Sequence, residues 1–136
     1  MQPDSASNKS RPRREAKPLI YVVDDEPVLL ELASALLAPL ECEVKTFLNA
    51  ESALQAYAEA DPRPALIITD YAMHRMNGLE LIVECRRLQP RQKIILVSGT
   101  VDESAYRGSP VKPDQFLAKP YPVRQFLQLV ESLLGR

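Results

Sequence analysis

The chain has 136 residues, of which 46% are hydrophobic and 26% are charged, a composition typical of one globular domain rather than of a disordered chain. Its formal charge of -1 gives no support to a general nucleic-acid or membrane-surface binder. The first 18 residues contain no apolar run, which excludes a secretory signal or membrane span there, and Cys42 and Cys85 lack metal-type spacing, so we expect a cytoplasmic protein with reduced thiols.

The first predicted element is a flexible basic arm over residues 1–17, followed by a folded domain over residues 18–136. The charged residues of the arm are Lys9, Arg11, Arg13, Arg14 and Lys17 against Asp4 and Glu15, a net charge of +3. A solubilising tail is the ordinary interpretation of such a stretch, and contact with nucleic acid or an acidic partner is the alternative.

From residue 19 onward, short apolar runs alternate with longer amphipathic stretches. The short runs predict strands, and they lie at residues 19–23, 43–47, 65–70, 93–98 and 115–119. The longer stretches predict helices, and they lie at residues 27–40, 49–60, 78–90 and 122–136. Apolar strands that alternate with helices indicate a parallel sheet covered on both faces. The predicted fold class is therefore α/β, with a doubly wound five-stranded parallel sheet.

The helices carry signals for their ends and for their buried faces. Pro27 and Pro122 suit the first positions of the first and last helices, and Asn49 suits the N-cap of the second. The buried face of the first helix is predicted from residues at four-residue intervals, namely Val28, Leu32, Leu36 and Leu40.

One segment departs from the alternation. Residues 99–114, between the fourth and fifth strands, should carry a helix, but they contain Gly108, Pro110 and Pro113 and offer no sustained apolar stripe. We expect a turn or two near Asp102 to Tyr106 and loop elsewhere, so that the fourth helix is shortened or missing.

Polar side chains stand where the predicted strands end, and in open α/β sheets ligands bind outside the carboxyl ends of the strands. They are Asp24 and Asp25 after the first strand, Asp70 in the third, Ser98 in the fourth and Lys119 in the fifth. Any one of them could be a cap or a turn residue, but convergence of all five on one edge is hard to explain in that way.

The residue types at this edge point to phosphate chemistry. Three clustered carboxylates repel one another and favour a hard divalent cation, and Mg²⁺ combines one or two protein carboxylates with water and phosphate oxygens. Lys119 offers a point charge and Ser98 a hydroxyl donor for the same phosphate. No Gly-rich phosphate loop is present, so a nucleotide is not indicated; a carboxylate beside Mg²⁺ can instead attack phosphorus and form an aspartyl phosphate.

Four stretches in this order, VVDDE, LIITDYAMHRMNGLEL, ILVSGT and FLAKPY, resemble the receiver domain of bacterial two-component response regulators. The resemblance covers roughly residues 18–135. It implies a flavodoxin-like receiver fold and a place in two-component or phosphorelay signalling. Because the chain ends directly after the last predicted helix, we expect a stand-alone, single-domain receiver, unless the chain is a fragment of a longer regulator or hybrid kinase.

The resemblance implies a role for each site residue. Asp70 would accept a phosphoryl group from a phosphohistidine on a histidine kinase or a histidine phosphotransfer protein. Asp25, Asp70 and the backbone carbonyl of Ala72 would ligate Mg²⁺, and Asp24 would hold metal-bound water. Lys119 would pair with the phosphoryl group, and the Lys119–Pro120 peptide bond would be cis.

The resemblance also implies a switch. On phosphorylation Ser98 would move inward to hydrogen-bond a phosphoryl oxygen, and Phe116 would pack into the vacated space. Ala72 and Thr100 would flank the pocket and help set the lifetime of the phosphoryl group. The output would be altered binding to a downstream protein, and the chain would be no enzyme beyond promoting its own phosphorylation and dephosphorylation. The sequence names no kinase, downstream partner or oligomeric state.

Two positions depart from the family pattern. His74 stands four residues after Asp70, where the family has proline. The absence of this proline loosens the loop that carries the Ala72 carbonyl. Gly99 stands where the family favours alanine, which leaves the segment after Ser98 freer.

Two other functions compete with a phosphorylatable receiver. A pseudo-receiver would be an interaction module that is not phosphorylated in use, but such a module has no need of three clustered acids. A Mg²⁺-dependent phosphatase of the haloacid dehalogenase type would need a general acid two residues after its nucleophile, and Ala72 occupies that position.

Overall fold

The structure is a computed structural model, and it describes residues 17–136. The predicted basic arm therefore lies outside the described residues except for Lys17. The strands are β1 (Leu19–Val23), β2 (Glu43–Phe47), β3 (Leu66–Asp70), β4 (Ile94–Ser98) and β5 (Gln115–Ala118). The helices are α1 (Pro27–Leu37), α2 (Ala50–Glu59), α3 (Gly78–Leu88) and α4 (Val123–Leu133), with short 3-10 helices at Ala38–Leu40 and Glu103–Tyr106.

The strands form one five-stranded sheet in the order β2-β1-β3-β4-β5, and every neighbouring pair is parallel. Each predicted strand appears within one residue of its expected bounds. The order reverses direction at β1, as expected when the chain winds first towards one edge of the sheet and then towards the other. The prediction of a doubly wound parallel sheet is confirmed.

The core is divided by the sheet into two layers, because successive strand residues point to opposite faces. One layer packs strand residues such as Val22, Ile68 and Val97 against α1 and α4. The other packs residues such as Tyr21 and Ile67 against α2 and α3. Both faces of the sheet are covered by helices, which is why the three central strands, β1, β3 and β4, are apolar at nearly every position.

The buried face of α1 differs from the prediction. Its buried residues are Leu30, Ala33 and Leu37, whereas Val28 is 72% exposed and Leu32 is 49% exposed. A step of four residues overshoots one helical turn by about 40°, so a series of such steps drifts around the helix. The alternating three- and four-residue spacing of the buried set stays on one face. The predicted series drifts, so its first two residues are exposed, whereas Leu36 and Leu40 are partly buried and pack against the core.

The helix ends agree with the sequence signals with one small difference. Pro27 is the first residue of α1, and the Asn49 side chain accepts a hydrogen bond of 2.7 Å from the Ser52 N–H as the N-cap of α2. Pro122 is the N-cap of α4 rather than its first residue, because it keeps extended backbone geometry.

The segment from 99 to 114 contains, as its only helix, the 3-10 helix Glu103–Tyr106, which confirms the expectation of a turn or two there and of a shortened or missing fourth helix. The segment is tied to the rest of the domain by Arg86 of α3. The Arg86 guanidinium donates to the Lys112 carbonyl at 2.8 Å and to an Asp114 carboxylate oxygen at 2.9 Å, and also to the Gln92 carbonyl at 2.8 Å. A side chain from the preceding helix thus anchors the stretch that has no helix of its own.

Cys42 is half-buried and Cys85 is buried, and both are free. Within residues 17–136, no helix has both the length and the apolar character that crossing a membrane requires.

Candidate functional site

The acidic residues meet because β1 and β3 are neighbours whose carboxyl ends lie at the same edge. Val23 pairs with Thr69, so the next residues, Asp24 and Asp70, stand side by side. Asp24, Asp25 and Asp70 each offer one carboxylate oxygen, and these three oxygens lie within 4.8 Å of one another. Asp24 is buried, Asp70 is half-buried and Asp25 is exposed. The structure therefore brings together the three predicted carboxylates.

Lys119 reaches this cluster from β5, although β4 lies between β5 and β3. Its Nζ lies 3.1 Å from Oδ2 of Asp24 and 3.4 Å from Oδ1 of Asp70. The backbone N–H of Lys119 donates to the Ser98 carbonyl at 2.8 Å, which fixes the base of the side chain. The Lys119–Pro120 peptide bond is cis, as the resemblance implied.

The charges at this edge do not balance. Burial raises the pKa of Asp70, and Asp24 adds to the rise, while the Lys119 ammonium only partly opposes it. Burial alone would lower the pKa of Lys119, but attraction to Asp70 and the hydrogen bond to Asp24 outweigh it, so that pKa is raised. The raised pKa of Lys119 favours its charged form, whereas the raised pKa of Asp70 favours its neutral form. One ammonium shared between the buried Asp24 and the half-buried Asp70 leaves negative charge uncompensated.

The donor set fits a hard divalent cation. Carboxylate oxygens are the protein ligands that Mg²⁺ uses, and three of them converge here. Asp24 is held in place by its Oδ1, which accepts a hydrogen bond of 3.0 Å from the Glu26 N–H. Asp25 is exposed, so the cluster is open to solvent on that side.

Ser98 is buried, and its hydroxyl faces its own loop. Its Oγ accepts hydrogen bonds from the backbone N–H groups of Thr100 at 3.1 Å and Val101 at 3.0 Å. The Thr100 hydroxyl lies 3.3 Å from the same atom, and Thr100 is exposed. Ser98 thus orders the first residues after β4, and to contact a group on Asp70 it would have to exchange these bonds for new ones.

Phe116 lies in β5 and is half-buried. Its ring packs against Tyr106 of the 3-10 helix, with 6.3 Å between the ring centroids. The predicted switch aromatic is therefore in contact with the segment from 99 to 114, whose first residues are hydrogen-bonded by Ser98.

The loop from 71 to 77 joins β3 to α3 and carries Ala72 and His74, both of which are exposed. The cluster of candidate metal ligands found among residues 17–136 consists of the three aspartates, so His74 is outside it. The loop is closed at its base by a hydrogen bond of 2.9 Å from the Gly78 N–H to the Tyr71 carbonyl.

The sequence reasoning missed Gly78. It is the first residue of α3 and is buried against the backbone of Asp70. Glycine is a poor helix former, and its place directly after the N-cap Asn77 was a signal that the helix start makes a close contact.

A cavity of ≈ 370 Å³ lies between α1 and α4 on the side of the sheet opposite α2 and α3. Its walls are mainly apolar and include Leu32 of α1 and Val123 and Phe126 of α4, while Asp70 and Lys119 line its polar end. An apolar recess therefore opens next to the acidic cluster.

Comparison with known proteins gives a consistent result. Residues 20–131 match the sequence profile described as the response regulator receiver domain. The DNA-binding transcriptional regulator NtrC of Azospirillum brasilense is 34% identical over 121 residues, which are 85% of this chain and 24% of that protein. The chain spans about a quarter to a half of the length of the first curated relatives that it matches.

Solved structures show the same fold. A CheY-like response regulator receiver domain protein from Methanospirillum hungatei superposes with a TM-score of 0.81 at 23% identity, over 88% of this chain and 95% of that one. The response regulator TrrA of Thermotoga maritima, solved in complex with Mg²⁺-BeF, has a TM-score of 0.74 at 30% identity, over 85% of this chain and 98% of that one.

Proposed function

This chain belongs to the response regulator receiver domain family, and we propose that it is a phosphoacceptor in which Asp70 takes a phosphoryl group from a phosphohistidine partner in a Mg²⁺-dependent reaction. The chain then changes its binding to a downstream protein. Receiver domains generally interact with histidine kinases and with downstream effectors. We propose that the chain promotes only its own phosphorylation and dephosphorylation and is not an enzyme for any other reaction.

One observation carries this proposal: three carboxylate oxygens and one ammonium converge at the carboxyl edge of the sheet. An Asp70 oxygen attacks phosphorus, the new P–O bond forms as the P–N bond to histidine breaks, and the imidazole leaves with that electron pair. Lys119 lies 3.4 Å from Asp70 and is positioned to pair with the phosphoryl oxygens. Asp24, Asp25 and Asp70 would hold Mg²⁺, and its positive charge would offset the negative charges of the carboxylates and of the phosphoryl group.

The first test is intact-mass spectrometry after incubation with acetyl phosphate, with Mg²⁺ or with excess chelator. We expect one phosphoryl addition per chain in Mg²⁺ and a rate lower by about a hundredfold in chelator, because a metal contributes several kcal/mol of charge stabilisation. Undiminished labelling in chelator would defeat the metal assignment. If no addition is seen, binding of beryllofluoride with Mg²⁺ decides between a short-lived phosphate and a pseudo-receiver.

We propose that the phosphohistidine partner docks on a surface formed by three exposed apolar side chains. Val28 and Leu32 lie one turn apart on α1, and Val123, which is 48% exposed, begins α4. Leu32 and Val123 line the cavity that opens beside Asp70. A protein that brings a phosphohistidine to Asp70 must cover the surface around this opening, and exposed apolar residues there stabilise such a contact.

Val28→Gln is expected to slow phosphoryl transfer from a histidine kinase or phosphotransfer protein that labels the wild type. We expect a decrease of about tenfold, the effect of losing one good apolar interface contact. Labelling by acetyl phosphate should be unchanged, since a small donor needs no docking surface. Leu88→Gln is the matched control, because Leu88 is also an exposed apolar helix residue but lies at the far end of α3. Equal effects of both changes on the kinase reaction would exclude this docking surface.

A further inference from the structure

Gly78, the first residue of α3, lies directly against the main chain of Asp70. A Cβ built on Gly78 would lie 2.2 Å from the carbonyl oxygen of Asp70 and 3.0 Å from the carbonyl carbon. Real side chains do not approach backbone atoms that closely. Any residue larger than glycine would therefore have to move either α3 or the end of β3.

The end of β3 has little freedom to yield. The Thr69 hydroxyl donates a hydrogen bond of 3.0 Å to the Asp70 carbonyl, and Thr69 is fully buried. The next residue, Tyr71, donates its N–H to the Val97 carbonyl of β4 at 2.9 Å. The Asp70 main chain is thus held on both sides of the point at which Gly78 touches it.

The start of α3 is held just as firmly. Asn77 and Glu80 form a reciprocal capping pair, in which each side chain accepts a hydrogen bond from the other residue's backbone N–H, at 2.8 and 2.9 Å. The Gly78 N–H donates to the Tyr71 carbonyl at 2.9 Å. The Leu96 Cδ1 of β4 would also lie 3.0 Å from an added Cβ, so that side chain would have to give way as well.

We infer that Gly78 is a positioning residue for the phosphoacceptor site, and that its lack of a side chain lets α3 set the place of the Asp70 carboxylate beside Asp24 and Asp25. The hydrogen bond from the Gly78 N–H to the Tyr71 carbonyl also closes the loop that carries Ala72. The inference rests on the proposed function, since it concerns how Asp70 is presented to a cation and to phosphorus. Gly78 touches no reacting atom itself, and it acts through the Asp70 backbone.

Two other glycines show that the close contact is specific to this position. An added Cβ at Gly99 would lie 3.5 Å from the Lys119 Cβ, an ordinary contact distance. At Gly108 nothing lies within 4 Å. Gly108→Ala is therefore a matched control, because it also removes the backbone freedom of a glycine but adds a Cβ that clashes with nothing.

The test compares Gly78→Ala, Gly108→Ala and Arg86→Ala. Arg86→Ala serves as a variant that destabilises the fold away from the site, at the amino end of β5, where Arg86 contacts Lys112 and Asp114. Each protein is measured at a temperature where circular dichroism shows it folded. The readouts are the Mg²⁺ dissociation constant from calorimetry and the rate of labelling by acetyl phosphate.

We expect Gly78→Ala to weaken Mg²⁺ binding by about tenfold and to slow labelling by about a hundredfold, because displacement of a reacting group by about 1 Å has effects of this size. Gly108→Ala and Arg86→Ala should match the wild type in both readouts. If Gly78→Ala loses stability but keeps wild-type Mg²⁺ affinity and labelling, the glycine is only structural and the inference is overturned.

A second variant covers the case in which Gly78→Ala does not fold. Thr69→Val removes the hydroxyl that holds the Asp70 carbonyl while keeping the side-chain shape, and we expect it to weaken Mg²⁺ binding by about threefold, the effect of one modest hydrogen bond. Wild-type affinity in Thr69→Val would then overturn the inference. A wild type that binds Mg²⁺ but neither gains a phosphoryl group nor binds beryllofluoride would refute the proposed function alone, since the Mg²⁺ comparison still tests Gly78. A wild type that binds no Mg²⁺ would refute both.

Discussion

Asp70→Asn is expected to abolish phosphoryl addition from acetyl phosphate, to below about a thousandth of the wild-type rate, because the amide that replaces the carboxylate is no nucleophile. The measurement is intact-mass spectrometry of both proteins in the same Mg²⁺ buffer. Asp102→Asn is the matched control, since Asp102 is an exposed aspartate at the N-cap of the 3-10 helix and lies outside the acidic cluster. It should be labelled like the wild type.

The same variant separates a functional aspartate from a structural one. Burial and the neighbouring Asp24 disfavour the ionised form of Asp70, so an uncharged side chain there should leave the metal-free fold as stable or make it more stable. Chemical denaturation in metal-free buffer should give a midpoint equal to or above that of the wild type. A clearly lower midpoint, with labelling still present at another residue, would show that Asp70 is a structural cap.

Arg86→Ala is expected to lower the free energy of unfolding by about 2–3 kcal/mol, because it removes charge-assisted hydrogen bonds and leaves carbonyls without a donor. The Arg86 side chain is largely buried, and it joins α3 to Gln92 and to the segment before β5 at Lys112 and Asp114. The Asp114 carboxylate also accepts the Ile94 N–H at 2.7 Å, so its position affects the start of β4. Denaturant titration followed by circular dichroism measures the loss.

The adjacent residue provides the control for Arg86. Arg87 pairs with Glu84 at 3.2 Å on the surface of α3, and its side chain is 67% exposed. Arg87→Ala should change stability by no more than about 0.5 kcal/mol, because solvent screens exposed ion pairs. Similar losses for the two variants would mean that Arg86 does not anchor the segment from 99 to 114.

The strands and the identity of the site residues could be predicted from the sequence because both are local patterns. A strand buried on both faces is apolar at nearly every position, and a polar residue that follows such a run marks its carboxyl end. The five polar residues from Asp24 to Lys119 were found in this way. The signal against a full helix between β4 and β5 was also local, since Gly108, Pro110 and Pro113 disfavour a helix in whatever tertiary context they occur.

The buried face of α1 could not be predicted with the same success. Its sequence offers apolar residues on more than one face, including Val28 and Leu32 on one side and Leu30 and Leu37 on another. Which of them becomes buried depends on how the helix sits on the sheet beside α4. The residues left exposed then line or adjoin the recess at Asp70, where we propose that the phosphohistidine partner docks.

The sequence by itself determined the α/β alternation, the carboxylates at the strand ends and the family, because each is written in short stretches of neighbouring residues. Only the tertiary structure decided that Lys119 reaches across β4 to Asp24 and Asp70, that Gly78 lies against the Asp70 carbonyl and that Arg86 holds Lys112. These contacts join residues far apart in the chain. They depend on the strand order and on how each helix docks on the sheet, which no local pattern encodes.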